Sequence, residues 1–237
     1  MLPNFIIGGI MKSGTTFLHN LIINHPQIKM IQRKMDYAYF DDDRIYQRGK
    51  SWYLNLYNEF EEDKESIIGQ TSADCAFNPD SIKRIIEHNP ETKLIFVLRH
   101  PIERAYSLYW HQYGMAREKN SFEKAIQVEK TKINKSYYNF KMFSYLERSR
   151  YKKQFDIIHS LVPEKNLLLI DFNSLIKNTK ATINVVFDFL KVNNIEDMEE
   201  LSYSKLPRNP TLIPSNHLVV VLSYYLQQLG IKGSRRL

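Results

Sequence analysis

Three small groups of residues have types and spacings that could do chemistry. The first is Gly9 to Thr16, in which Lys12, Ser13, Gly14, Thr15 and Thr16 follow the apolar run Phe5-Ile6-Ile7. An apolar strand, a glycine-bearing turn and then a helix form a cradle for an anion. Successive backbone N–H groups and the positive end of the helix converge on one point. The G-x-x-x-x-G spacing is that of a phosphate-binding loop, but a Walker A loop carries Lys directly after its second Gly. Here Lys12 precedes Gly14 by two positions. The lysine is therefore expected in the bend, reaching a bridging or leaving oxygen, with the hydroxyls of Thr15 and Thr16 at the first helical turn. The plain alternative is a tight strand-to-helix turn with Thr as a cap.

The second group is Leu98-Arg99-His100-Pro101-Ile102-Glu103-Arg104-Ala105-Tyr106-Ser107, at the exit of the apolar run Lys93–Leu98. Proline at a first helical position and an acid soon after it mark a helix start. Arg99 offers a planar fork of donors suited to phosphate, and Ser107 adds a hydroxyl two turns on. Taken singly, each is an ordinary strand-end charge or helix residue. The third group is Arg33 to Asp43, which mixes charge with aromatics, fits neither helix nor strand period, and carries Asp36 on what reads as a loop.

Lys12-Ser13-Gly14-Thr15-Thr16 within GGIMKSGTTFLHNLIINHP resembles the 5′-phosphosulfate loop of sulfotransferases that use 3′-phosphoadenosine 5′-phosphosulfate (PAPS), and LRHPIERAYSLY resembles their 3′-phosphate signature. Two motifs in this order, each at a strand-to-helix junction, say far more than either alone. The resemblance implies that Lys12 to Thr16 hold the 5′ group, that Lys12 stabilises charge on the departing phosphate, and that Arg99 and Ser107 hold the 3′-phosphate. In the heparan-type carbohydrate members a Lys-Glu pair followed by aromatics supplies the general base. Here Asp36 stands in the Glu position, one methylene shorter, and a loop acid that only solvates or caps is the competing reading. Gly69-Gln70-Thr71-Ser72 likewise stands where that family often has Glu-Lys-Thr-Pro, so the lysine is missing. The similarity is specific over about residues 4–110, looser over Tyr145–Leu175 with its Arg148-Ser149-Arg150-Tyr151 stretch, and fades beyond 200. Family members usually continue further, so a shortened chain is the expectation there.

The elements that must position these groups follow from the pattern. Strands are expected at residues 4–8, 29–32, 66–71, 93–98 and 166–171. Helices are expected over 15–23, 79–88, 101–117, 121–130, 140–161, from Ser174 or Thr179 to Leu190, and near His217–Leu229 after the prolines at 207, 210 and 214. Short helices fill 44–66. Strands alternating with helices imply a three-layer α/β fold of the P-loop-NTPase-like kind, with a central, mainly parallel sheet flanked by helices. One sulfotransferase domain spanning 1–237 is expected, its part from about 204 fitting least well.

Composition bounds the rest. The 237 residues are 43% hydrophobic and 25% charged, which is the make-up of a globular domain, and no apolar run approaches the ~20 residues of a membrane span. Stable membrane insertion and a signal peptide are not expected. The single cysteine, Cys75, excludes an internal disulfide framework, and a reducing, cytoplasmic and bacterial setting is the default. The charge of +7 favours anionic ligands. Nucleic acid is not expected, because no zinc spacing, aromatic RNA-binding motif or long basic run accompanies it.

The function expected is sulfuryl transfer from PAPS, with no metal, to a hydroxyl or secondarily an amine of a carbohydrate, lipid or secondary metabolite, that is, a small-molecule or glycan acceptor. Two rivals stand beside it. One is a P-loop kinase using ATP and Mg²⁺ with Asp171 on the metal, and the other is a nucleotide-binding module without catalysis. Acceptor identity and oligomeric state are not written in the sequence.

Overall fold

The computed structural model describes residues 3–31, 38–60 and 66–194. In chain order the elements are β1 (Phe5–Gly9), α1 (Thr15–Ile22), β2 (Ile28–Met30), α2 (Asp43–Tyr46), α3 (Gly49–Asn55), β3 (Ile67–Thr71), α4 (Pro79–His88) and β4 (Lys93–Leu98). They continue with α5 (Pro101–Gly114), α6 (Phe122–Ile133), α7 (Tyr137–Phe143), α8 (Tyr151–Leu161), β5 (Leu167–Asp171), α9 (Phe172–Lys177) and α10 (Thr179–Leu190). The helix expected near His217–Leu229 and the proline segment before it lie outside the described residues.

The five strands form one sheet in the order β2-β3-β1-β4-β5, and every neighbouring pair is parallel. β1 is central and covered on both faces, which is why it reads as an unbroken apolar run. Phe5 and Ile7 point to one side, where they join Leu18, Leu21 and Ile22 of α1 and Ile183, Val186, Phe187 and Leu190 of α10. Ile6 points to the other, with Ile82 and Ile85 of α4 and Phe155 and Ile158 of α8. Three layers result, as the alternating pattern predicts.

By contacts the chain divides into two compact units. Among the described residues, those up to Arg99 and from Tyr151 to 194 belong to the unit that carries the sheet, and His100–Arg150 belong to the second. Within the second, α5, α6 and α7 surround buried ionic groups. Glu118 accepts from Lys132 Nζ at 2.6 Å and from the Tyr145 hydroxyl at 2.9 Å, and the fully buried Arg104 donates through Nε to Ser149 Oγ at 2.7 Å and also to the Tyr145 carbonyl. Buried charge survives here because each group has an opposite charge or several hydrogen bonds.

The single helix expected over 140–161 is broken. α7 ends at Phe143 and a 3-10 turn occupies Glu147–Ser149 before α8 starts at Tyr151. The cause lies elsewhere in the chain. The Glu129 carboxylate on α6 accepts the N–H groups of Leu146, at 2.8 and 3.0 Å, and of Glu147, at 2.9 Å, which a continuous helix would have given to its own carbonyls. The last helix is split as well, at Asn178, into α9 and α10. Helix α5 ends at Gly114, short of the expected Arg117, because Arg117 and Glu118 N–H both turn back to the Gln112 carbonyl.

Candidate functional site

Because β1 is followed by a connection to one side of the sheet and β4 by one to the other, the crevice between their carboxyl ends is the switch point at which open α/β sheets bind ligands. Both expected anion groups begin there. Gly9 pairs with Phe96, and Ile10 N–H donates to the Val97 carbonyl at 3.1 Å, so the loop leaves β1 directly beside the strand that ends before Arg99. Neighbouring strands lie about 4.8 Å apart.

The loop adopts backbone that only particular residues tolerate. Gly9 has φ 138° and Gly14 φ 93°, and Lys12, which is not glycine, sits at φ 71°. A Cβ on Gly14 would also come within 3.0 Å of the Phe172 ring. Gly14 occupies the cap position of α1, and the first bond of that helix runs from Leu18 N–H to the Gly14 carbonyl at 3.0 Å. The amides of Thr15, Thr16 and Phe17 therefore stand ahead of the helix's own ladder. With no acid in the first turn, nothing opposes an anion at this helix end. Ser13 is fully buried, and its hydroxyl makes no hydrogen bond among the described residues. A buried hydroxyl without a partner is costly, and an oxyanion at the loop would satisfy it. Thr15 is buried and Thr16 half-buried.

Arg99 follows β4 at the same edge of the sheet. Its carbonyl accepts from the Tyr151 hydroxyl at 2.8 Å, and its guanidinium carbon lies 4.7 Å from the centre of the Phe172 ring. Phe172 opens α9 just beyond β5 and packs on Gly14, so one aromatic side chain touches both anion groups. Sequence reasoning missed it. The available signal was an aromatic at the carboxyl end of the strand next to β4. Ser107 is buried on α5, in the second unit. Asp36 lies outside the described residues, as does the rest of 32–37.

Asp171, the residue a metal-dependent kinase would need, caps α9. Its carboxylate accepts from Ser174 N–H at 2.8 Å and Ser174 Oγ at 3.2 Å. Among the described residues no group of three or more His, Cys, Asp or Glu side chains could hold a metal ion.

Of the aromatics after Asp36, Tyr39 and Phe40 turn out to be core residues. Tyr39 stacks on Tyr53 with centroids 4.2 Å apart, and Phe40 is buried beside them. Asp41, also buried, accepts from Ser81 Oγ at 2.9 Å and from Ser72 Oγ, while Ser72 N–H donates to the Ile7 carbonyl at 2.9 Å. This fastens the chain at 39–41 to the carboxyl end of β1. Gln70, where the heparan-type members often have lysine, is buried, and its carbonyl accepts from the hydroxyls of Tyr53, at 2.5 Å, and Tyr57, at 2.8 Å.

Three histidines are held by specific partners. His19 is buried on α1 with Nδ1 2.9 Å from the Thr71 hydroxyl, and His25, in the turn after α1, bonds the Asn193 carbonyl at 2.8 Å. His88 donates Nδ1–H to the Arg84 carbonyl at 2.8 Å and meets the Tyr39 hydroxyl at 3.3 Å through Nε2. Burial holds its pKa below the usual imidazole value.

A sequence profile described as "Sulfotransferase domain" matches residues 2–218. The chain belongs to the sulfotransferase domain family. A membrane-associated sulfotransferase of Dictyostelium discoideum is 37% identical to this chain over 109 residues, 46% of this chain and 22% of the relative. A human heparan sulfate glucosamine 3-O-sulfotransferase is 27% identical over 196 residues, 81% of this chain and 54% of the relative. The matched part thus spans about half or less of these relatives. Among solved structures, a sulfotransferase from Alicyclobacillus acidocaldarius superposes with a TM-score of 0.74 at 22% identity, covering 96% of this chain and 92% of that one. A mouse sulfotransferase complexed with PAP superposes at a TM-score of 0.53 and 14% identity, covering 86% and 62%. These likenesses agree on the fold. Among the described residues of this chain no helix is long and apolar enough to cross a membrane.

Proposed function

We propose that this chain transfers the sulfuryl group of PAPS to a hydroxyl, with an amine as the second candidate, of a small-molecule or glycan acceptor. The observation that carries the reading is the unpartnered, buried Ser13 hydroxyl in an anion loop on β1, directly beside the strand that delivers Arg99. A nucleotide with phosphates at both ends of its ribose needs two such groups, whereas ATP needs one. The family, and the PAP held by the mouse relative, support the same reading. The names of the heparan sulfate relatives favour a glycan acceptor.

In this reading PAPS supplies an activated sulfuryl group and a phosphate leaving group. The amides of Gly14 to Thr16 and the Ser13, Thr15 and Thr16 hydroxyls bind the 5′ end, the Ser13 N–H being held by the Ile10 carbonyl. Lys12 neutralises charge on the phosphate oxygen as its bond to sulfur breaks. Arg99 and Ser107 hold the 3′-phosphate and so fix the sulfur in line with the acceptor oxygen. As the new oxygen–sulfur bond forms, the acceptor proton passes to a base, for which Asp36 is the candidate. No metal is required by these residues, because the cations are side chains. We place the protein in the cytoplasm and expect no nucleic-acid partner.

Calorimetry tests the reading. Adenosine 3′,5′-bisphosphate should bind in the presence of a chelator, and ATP with Mg²⁺ should not bind. The reverse result would establish the kinase instead, and Asp171 as helix cap already speaks against it. Binding without turnover over a broad acceptor screen with labelled donor would favour the non-catalytic module.

A further inference from the structure

Phe172 stands where three strand ends meet. Asp171 pairs with Leu98 across β4 and β5, so Phe172 lies beside Arg99 in register. The Arg99 guanidinium sits over its ring at 4.7 Å, and the ring edge lies so close to Gly14 that a Cβ there would approach it to 3.0 Å. The ring itself is held firmly. Asp171 caps its helix, and Leu175, one turn on, is fully buried and also faces Gly14. An arginine is a long side chain with many rotamers, and ordering it at the moment of binding weakens affinity. An aromatic face beneath the guanidinium leaves its edge N–H groups directed outward while removing much of that freedom.

Resting on the function proposed above, we infer that Phe172 is a positioning residue. Its ring pre-orders the Arg99 guanidinium for the 3′-phosphate and, through Gly14, fixes that arm relative to the 5′ loop. Phe172 itself touches no reacting atom in this role. The selectivity of the site for a nucleotide bearing a 3′-phosphate thus depends on an uncharged side chain.

The test compares two probes on the full chain by calorimetry: adenosine 3′,5′-bisphosphate and adenosine 5′-monophosphate, which lacks the 3′ group. Phe172→Leu keeps an apolar contact on Gly14 and removes the aromatic face. It should weaken the bisphosphate about tenfold and the monophosphate less than about twofold. Phe172→Tyr should restore the bisphosphate to within about twofold of wild type. In an Arg99→Gln background, Phe172→Leu should cost almost nothing further, since the group it orders is gone. Equal losses for both probes, additive losses in the double variant, or no loss at all would overturn the inference. Phe172→Met, unbranched and better able to fill an irregular gap, replaces Leu in every arm should Leu fail to fold. If the wild-type protein binds no bisphosphate, the proposed function fails and takes this with it. If it binds well and Phe172→Leu binds equally well, only the positioning role fails.

Discussion

Lys12 carries two separable burdens, one of backbone and one of charge. A non-glycine residue at φ 71° is strained by roughly 1–3 kcal/mol, and such strain persists where function needs it. Lys12→Gly removes strain and cation together. It should melt no lower than wild type in a thermal scan, yet turnover should fall about 10²–10³-fold, the usual loss when one donor to a developing charge is removed. Unchanged turnover would take Lys12 out of the chemistry. Arg99→Ala should weaken adenosine 3′,5′-bisphosphate by about 10–100-fold, the range of a lost hydrogen bond to a charged group. His88 gives a prediction about pH. Burial lowers its folded pKa below the ordinary ~6.5, so the unfolded chain binds the proton more readily. Its contribution is complete above pH ~6.5, falls as the pH drops toward the folded value, and then levels off. Urea melts of His88→Gln should show a shallower loss of stability between about pH 7.5 and 5.5 than wild type. The Tyr39 contact at Nε2 is what a protonated ring could no longer accept.

At the scale of elements, the loop and the helix it opens act as one unit. Gly14→Ala meets both an unfavourable φ and the Phe172 ring, and should lower stability by about 1–3 kcal/mol in urea unfolding. Bisphosphate affinity should fall in parallel, because the same shift moves the amides of α1. The break between α7 and α8 offers a second case. Without the Glu129 carboxylate the N–H groups of Leu146 and Glu147 lose their acceptor. Glu129→Ala should therefore cost about 1–3 kcal/mol, read by the same unfolding measurement. Periodicity could not foresee that break. The apolar spacing over 140–161 is continuous, and the side chain that interrupts it sits more than a dozen residues upstream. Tyr39 and Phe40 were misjudged for a similar reason. Each looks polar or loop-like in its local window and is buried by partners far along the chain.

At the scale of the whole molecule, ligand binding and stability are linked. A bisphosphate bound to the folded state alone at about 100 times its Kd should add ~2.7 kcal/mol. For a chain of this length that raises Tm by about 5–10 °C, with chelator present and with no comparable shift from ATP and Mg²⁺. The sheet order explains why two groups some 85 residues apart in sequence can serve one ligand. β1 and β4 are neighbours in space, and their connections leave in opposite directions.

The sequence by itself determined the parallel α/β plan and the two anion motifs, because buried strands and strand-to-helix turns are written in short-range pattern. Phe5 to Ile7, Gly14 and the prolines at 79 and 101 each state a local requirement that a few neighbouring residues can satisfy. Tertiary structure alone decided that Gln70 is sealed under two tyrosines and that Phe172 lies between Gly14 and Arg99. Those outcomes depend on which strand ends become neighbours and which side chain fills the space between them. Packing of remote segments sets that, and no local window of the chain contains it.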